Sequence, residues 1–120
     1  MNRHEIGMKG QQAAKRFLLD KGYMVLAENY RMRTSEIDII ARDGMYIVFA
    51  EVKYRKGDSH GLPRESVDRR KQKRIIEAAL HYIYISELND ADFRFDVVEV
   101  LEAEGKMRIN HISNAFDASS

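Results

Sequence analysis

Three carboxylates and a lysine are spaced so that two neighbouring strands would bring them to one surface. They are Glu36 and Asp38 in SEIDIIAR (residues 35–42), and Glu51 and Lys53 in MYIVFAEVKY (residues 45–54). The first segment alternates acidic and branched residues, the second is rich in β-formers, and Asp43-Gly44 between them is a hairpin turn signal. A symmetric turn centred on Asp43-Gly44 pairs Arg42 with Met45, which sets Glu36 opposite Glu51 and Asp38 diagonal to it. Because side chains alternate, Glu36, Asp38, Glu51 and Lys53 then share one face. The other face receives Ile37, Ile39, Ala41, Val48, Ala50 and Val52.

Opposed side chains of an antiparallel pair sit about 5 Å apart at Cβ and diagonal ones about 7 Å, so Asp38 and Glu51 can share one cation. Without one, three clustered carboxylates repel. Oxygen ligands with no His or Cys beside them select Mg²⁺ or Mn²⁺ over zinc. Lys53 can reach a phosphate or an attacking water beside such a metal, which makes a set suited to phosphodiester hydrolysis. Short motifs of this kind also arise by chance on solvated hairpins. Here Ile39, Ile40, Ile47, Val48 and Phe49 are apolar on both faces, as in strands covered on each side. A carboxylate entering a covered strand is costly unless a metal or partner offsets it.

The elements that must hold these residues follow from pattern and punctuation. Residues 4–21 read as a helix, with Ile6, Ala13, Ala14, Phe17 and Leu18 at helical spacing and Gly22 as its stop. Residues 23–30 form a first strand ahead of the hairpin. The irregular stretch RKGDSHGLPRE follows, then a helix from Val67 to about Leu88. Ser66 is its expected cap, and Ile75, Ile76, Ala79, Leu80 and Ile83 face the core. Residues 93–101 and 107–112 form the last two strands, and 113–120 a loosely held tail. The order predicts an α/β fold over 1–120, a mixed central sheet flanked by helices.

The chain has 120 residues and a formal net charge of +1, unevenly spread. Residues 53–74 hold nine Lys or Arg against three acids, and residues 87–106 hold seven acids against Arg94 and Lys106. A cationic segment within a near-neutral chain points to a local anionic partner. The run Arg69-Arg70-Lys71-Gln72-Lys73-Arg74 opens its helix, where cations oppose the helix dipole. Arg70, Lys71, Lys73 and Arg74, with Arg55, are therefore read as phosphate contacts to DNA. His60 lies in the irregular stretch and reads as a surface histidine. No apolar run approaches the roughly 18 residues of a membrane span, the start lacks the apolar core of a secretory signal, and zero cysteines fit the cytoplasm.

Asp38 … Glu51-Val52-Lys53 has the form of the PD-(D/E)XK nuclease signature, with Glu36-Ile37 in place of Pro before the Asp. The chain resembles the YraN-like family, small bacterial proteins similar to archaeal Holliday-junction resolvases. The matching blocks are Gly7-x-x-Gly10 and Ala13, Gly22-Tyr23, Asn29 and Arg31, residues 36–41, residues 49–55, Gly61, Val67, Lys71, Arg74-Ile75 and residues 94–98. The resemblance implies a restriction-endonuclease-like fold. It implies that Asp38 and Glu51 hold the metal, helped by the Val52 carbonyl, and that Lys53 is the catalytic lysine. The family's first helix reads Gly-x-x-Gly-Glu where this chain has Gln11. Gln11 can orient a water, but it supplies neither charge nor a base. Ser35 stands where the family has Gly.

Two functions follow from these residues. One is a metal-dependent endonuclease acting on branched or structured DNA, with Asp38, Glu51, Lys53, Glu36 and Gln11 at its centre. The other is a nuclease-fold module that binds nucleic acid or a protein partner without cutting. Either leaves a homodimer open.

Overall fold

The computed structural model describes residues 3–57, 67–88 and 90–118. Helix α1 (Arg3–Asp20) leads into β1 (Met24–Arg31), β2 (Glu36–Asp43) and β3 (Tyr46–Lys56). Helix α2 (Arg69–Ser86) then precedes β4 (Asp92–Ala103) and β5 (Lys106–Phe116). The five strands form one sheet in the order β1-β2-β3-β4-β5. Neighbours are antiparallel except β3 and β4, which run parallel and are joined through α2. The result is the expected α/β arrangement, a mixed sheet with a helix on each face, consistent with a restriction-endonuclease-like fold.

Both faces of the sheet are buried. On one, Ile75, Ala78 and Ala79 of α2 pack with Ile40, Ile47, Phe49, Phe95 and Val97. On the other, Ala14 and Leu18 of α1 pack with Ile39, Ala41, Val48, Ala50, Val98 and Val100. Helix α1 comes close because Gly10 has no side chain: a methyl there would meet Tyr54 Cβ at 3.0 Å.

Several expectations are corrected. The hairpin turn is Gly44-Met45, with Gly44 at φ +59, so Arg42 pairs with Ile47 rather than Met45. Asp43 stays in the strand because its carboxylate is held by Arg94 Nη1 at 3.1 Å. The two-residue slip preserves the faces but brings Asp38, not Glu36, to the position facing Glu51. Ile37 belongs to the α2-side cluster rather than the Ile39 face. Leu80 is 52% exposed, because Ile75, Ala78 and Ala79 already define the stripe of α2 that meets the sheet. Strand β5 extends beyond residue 112, with Phe116 paired with and stacked on Phe95 at 5.0 Å and the Asn114 amide held by Asp96, so residues 113–116 belong to the sheet edge rather than to a loose tail. The cap of α2 is Asp68, whose carboxylate accepts from Lys71 N at 2.9 Å. Ser66 and His60 lie outside the described residues.

Candidate metal and nucleic-acid site

Strands β2 and β3 pair as far as Ile39 and Ala50, and there the ladder ends. Asp38 and Glu51 are the next facing positions. The Val52 amide, instead of meeting a β2 carbonyl, donates to Asp38 Oδ2 at 2.8 Å. The Asp38 side chain thus fills the gap where the strands part, which accounts for the broken alternation at Ile37. Glu51 is only 6% exposed. Its Oε1 accepts an ion pair from Lys71 Nζ at 2.7 Å, with Lys53 Nζ at 3.6 Å.

The electrostatics follow from this packing. Burial, then the neighbouring charge of Glu51, pushes Asp38 up to about 7, against the lowering effect of the Val52 amide. Burial lowers Lys53, and the adjacent Lys71 lowers it further. Burial is the largest influence on Lys71 and works against its charge, but its contacts with Glu51 and Lys53 and the charge of Asp38 together outweigh burial and raise it. Two acids and two ammonium groups therefore share one half-buried locus.

The locus is open on both sides of the sheet. On the α2 side a cavity of about 830 Å³ is lined by Asp38, Glu51, Lys71, Arg70 and Arg74, and by the β1–β2 connection. On the α1 side a cavity of about 500 Å³ is lined by Gln11, Asp38, Val52 and Glu36. Gln11 is thus delivered beside Asp38 by α1, one residue after the close approach at Gly10. Among the described residues no three His, Asp or Glu side chains converge as a ready ligand set. The expected trio is reduced to Asp38 and Glu51, since Glu36 Oε2 is turned to Arg31 Nε at 3.4 Å.

The expected phosphate contacts divide. Arg70, Lys71 and Arg74 line the larger cavity, whereas Lys73 is exposed and does not. Arg55 is committed elsewhere: it pairs with the buried Glu99 at 3.2 Å and keeps only 16% side-chain exposure. Arg31 and Arg33, which sequence reasoning did not assign to the site, face α2 across the cavity.

A family model described as "Uncharacterised protein family UPF0102" matches residues 10–100. The chain belongs to UPF0102. A UPF0102 protein of Clostridioides difficile is 47% identical over 116 residues, covering 97% of this chain and 100% of the relative. One from Lachnoclostridium phytofermentans is 43% identical over 119 residues, covering 98% of each chain. One from Syntrophus aciditrophicus is 48% identical over 112 residues, covering 92% of this chain and 87% of the relative. The UPF0102 match takes in Gln11, Asp38, Glu51, Lys53 and the basic half of α2. No helix among the described residues is long and apolar enough to cross a membrane.

Proposed function

We propose that this chain is a divalent-metal-dependent endonuclease that hydrolyses phosphodiester bonds in branched or otherwise structured DNA, working in the cytoplasm. One observation carries the reading: Asp38 and Glu51 face each other, Glu51 buried and Asp38 half-buried, where β2 and β3 part. Two carboxylates so placed repel unless positive charge lies beside them. In this structure the Lys71 ammonium supplies it at 2.7 Å from Glu51. The donors are all oxygens, which fits Mg²⁺ or Mn²⁺. Asp38, Glu51 and the Val52 carbonyl would hold the ion, and a bound ion would polarise a phosphoryl oxygen and neutralise its charge.

The chain's own residues do the rest. Lys53, two residues beyond Glu51 and 21% exposed at its side chain, offers a fixed cation to the negative charge that grows on the phosphoryl oxygens. Gln11 can orient a water from the α1 side through its amide. Arg70 and Arg74 hold flanking phosphates, which sets register without reading sequence. The resemblance to the YraN-like family and its resolvase relatives supports the same assignment.

The test is cleavage of branched, flapped and linear DNA with Mg²⁺ or Mn²⁺. Wild type should cut, and Lys53→Ala should lose about 100-fold or more in rate while still binding DNA. Equal cutting by Lys53→Ala would remove the lysine from the mechanism. Gln11 favours a second reading, because it leaves the site without a third acid: a nuclease-fold module that binds nucleic acid or a protein partner. DNA binding without cutting in either metal would select that reading.

A further inference from the structure

We propose that the tip of the β1–β2 hairpin, with Arg33, is a second phosphate-binding wall that cradles one nucleic-acid strand against Arg70 and Arg74 of α2. This rests on the nucleic-acid reading above and adds which form of nucleic acid the site takes and what holds it outside α2.

The hairpin is closed by Met32 N donating to Ser35 O at 2.8 Å, which leaves Arg33 and Thr34 at its tip. The tip and α2 line opposite sides of one cavity that has Asp38 and Glu51 between them. The carboxylates around this cavity are committed. Glu36 pairs with Arg31, Glu51 with Lys71, Asp38 accepts from the Val52 amide, and Asp68 caps α2. Arg33, Arg70 and Arg74 are exposed and have no carboxylate partner among the described residues. Three guanidinium groups converging on one space repel one another, and a ligand with a repeated negative charge relieves that repulsion with planar, two-pronged hydrogen bonds.

A second observation comes from the same hairpin. The Ser35 Oγ is the one buried side-chain polar atom without a hydrogen-bond partner among the described residues. A buried hydroxyl left unsatisfied is costly, and rotation to another staggered χ1 well would offer it to a bound oxyanion.

Size and lining define the ligand. A cavity of about 830 Å³ lies within the range of about 300–1,000 Å³ of small-ligand sites, so its space matches a nucleotide or two of one strand. No aromatic side chain lines it among the described residues, so bases have nothing to stack on and the grip is on phosphates. A strand that is unpaired where it crosses Asp38 and Glu51, as at a flap or a junction, fits this space.

The experiment is fluorescence anisotropy of the full chain with labelled oligothymidylate, alone or annealed to oligoadenylate, in EDTA. Wild type should bind the single strand about tenfold or more tighter than the duplex. Arg33→Ala should lose about tenfold on the single strand, with the slope of log affinity against log salt reduced by about 0.7, and Arg33→Lys should recover part of the loss. Mn²⁺ titration should be unchanged in Arg33→Ala, because Arg33 bonds to neither Asp38 nor Glu51. Wild-type single-strand binding by Arg33→Ala, a preference for duplex, or displacement by inorganic phosphate at equal phosphate concentration would overturn the cradle and leave the nuclease reading standing. No binding of either DNA by wild type would overturn both.

Discussion

Lys71 sits where a cation would have to enter. Its ammonium is 2.7 Å from Glu51, so a divalent ion must displace it or accept a positive neighbour. Lys71→Met removes the competitor and should tighten Mn²⁺ binding about tenfold, or 1.4 kcal/mol, by calorimetric titration; weaker binding would mean that Lys71 supports the metal site instead. Asp38 gives a pH signature. Held protonated up to about 7, it keeps its proton in the folded chain over a range where the unfolded chain has lost it. Folding therefore takes up a proton from roughly pH 4 upward, and this contribution to stability is lost as pH rises through about 7. Asp38→Asn cannot ionise but retains an oxygen for the Val52 amide. It should match wild type near pH 4 and melt about 5 °C higher at pH 8 without metal; a lower melting point at pH 8 would assign Asp38 a structural role. The Asp38 and Glu51 pair was legible in the sequence because strand alternation is local. The seat of Lys71 was not, since it depends on how α2 crosses the sheet.

At the scale of elements, α1 positions Gln11 through a single close approach. Gly10→Ala places a methyl 3.0 Å from Tyr54 Cβ, an atom fixed to the backbone of β3 that cannot swing away. The helix must lift, at a cost of about 1–3 kcal/mol, and Gln11 must move away from Asp38. Urea denaturation should show the lower stability, and stability equal to wild type would mean that the contact is soft. The hairpin shows what pattern reading resolves and what it does not. Polar and apolar periodicity fixed the faces of β2 and β3, but a slip of two residues leaves every face unchanged. Only the turn chemistry separates the two registers. Asp-Gly favoured one, and the long-range ion pair from Arg94 to Asp43 favours the other. The basic start of α2 was legible as unusual, yet Arg33 was not, because the β1–β2 tip reaches α2 only in three dimensions.

For the molecule as a whole, the acidic segment after residue 87 provides a buried anchor rather than an anionic surface alone. Asp96 is 0% exposed and accepts from Arg94, His111 and the Asn114 amide. Arg94 extends the network to Asp43 and Tyr23, and His111 Nδ1 lies 3.0 Å from Lys21 Nζ. An ammonium can only donate, so His111 accepts at Nδ1 and its Nε2–H donates to Asp96. The set ties the C-terminal end of α1, the β2–β3 hairpin, β4 and β5 together on the α1 face, while Glu51 and Lys71 lie on the α2 face. Burial alone would raise Asp96, but hydrogen bonds from His111, Arg94 and Asn114 hold it below the usual carboxylate range. A depressed carboxylate contributes stability that is present above the unfolded-state value and lost as pH falls through the folded one. Wild type should therefore resist acid down to below about pH 4 and then lose stability steeply. Asp96→Asn keeps the shape but leaves Arg94 without its buried counter-charge, at a cost of about 3–5 kcal/mol. It should also flatten the acid limb of stability against pH, followed by urea denaturation from pH 3 to pH 7. An acid limb unchanged in Asp96→Asn would transfer that titration to other carboxylates. Because none of the network's residues lines either cavity at the Asp38–Glu51 locus, Mn²⁺ affinity of the folded variant should stay at the wild-type value.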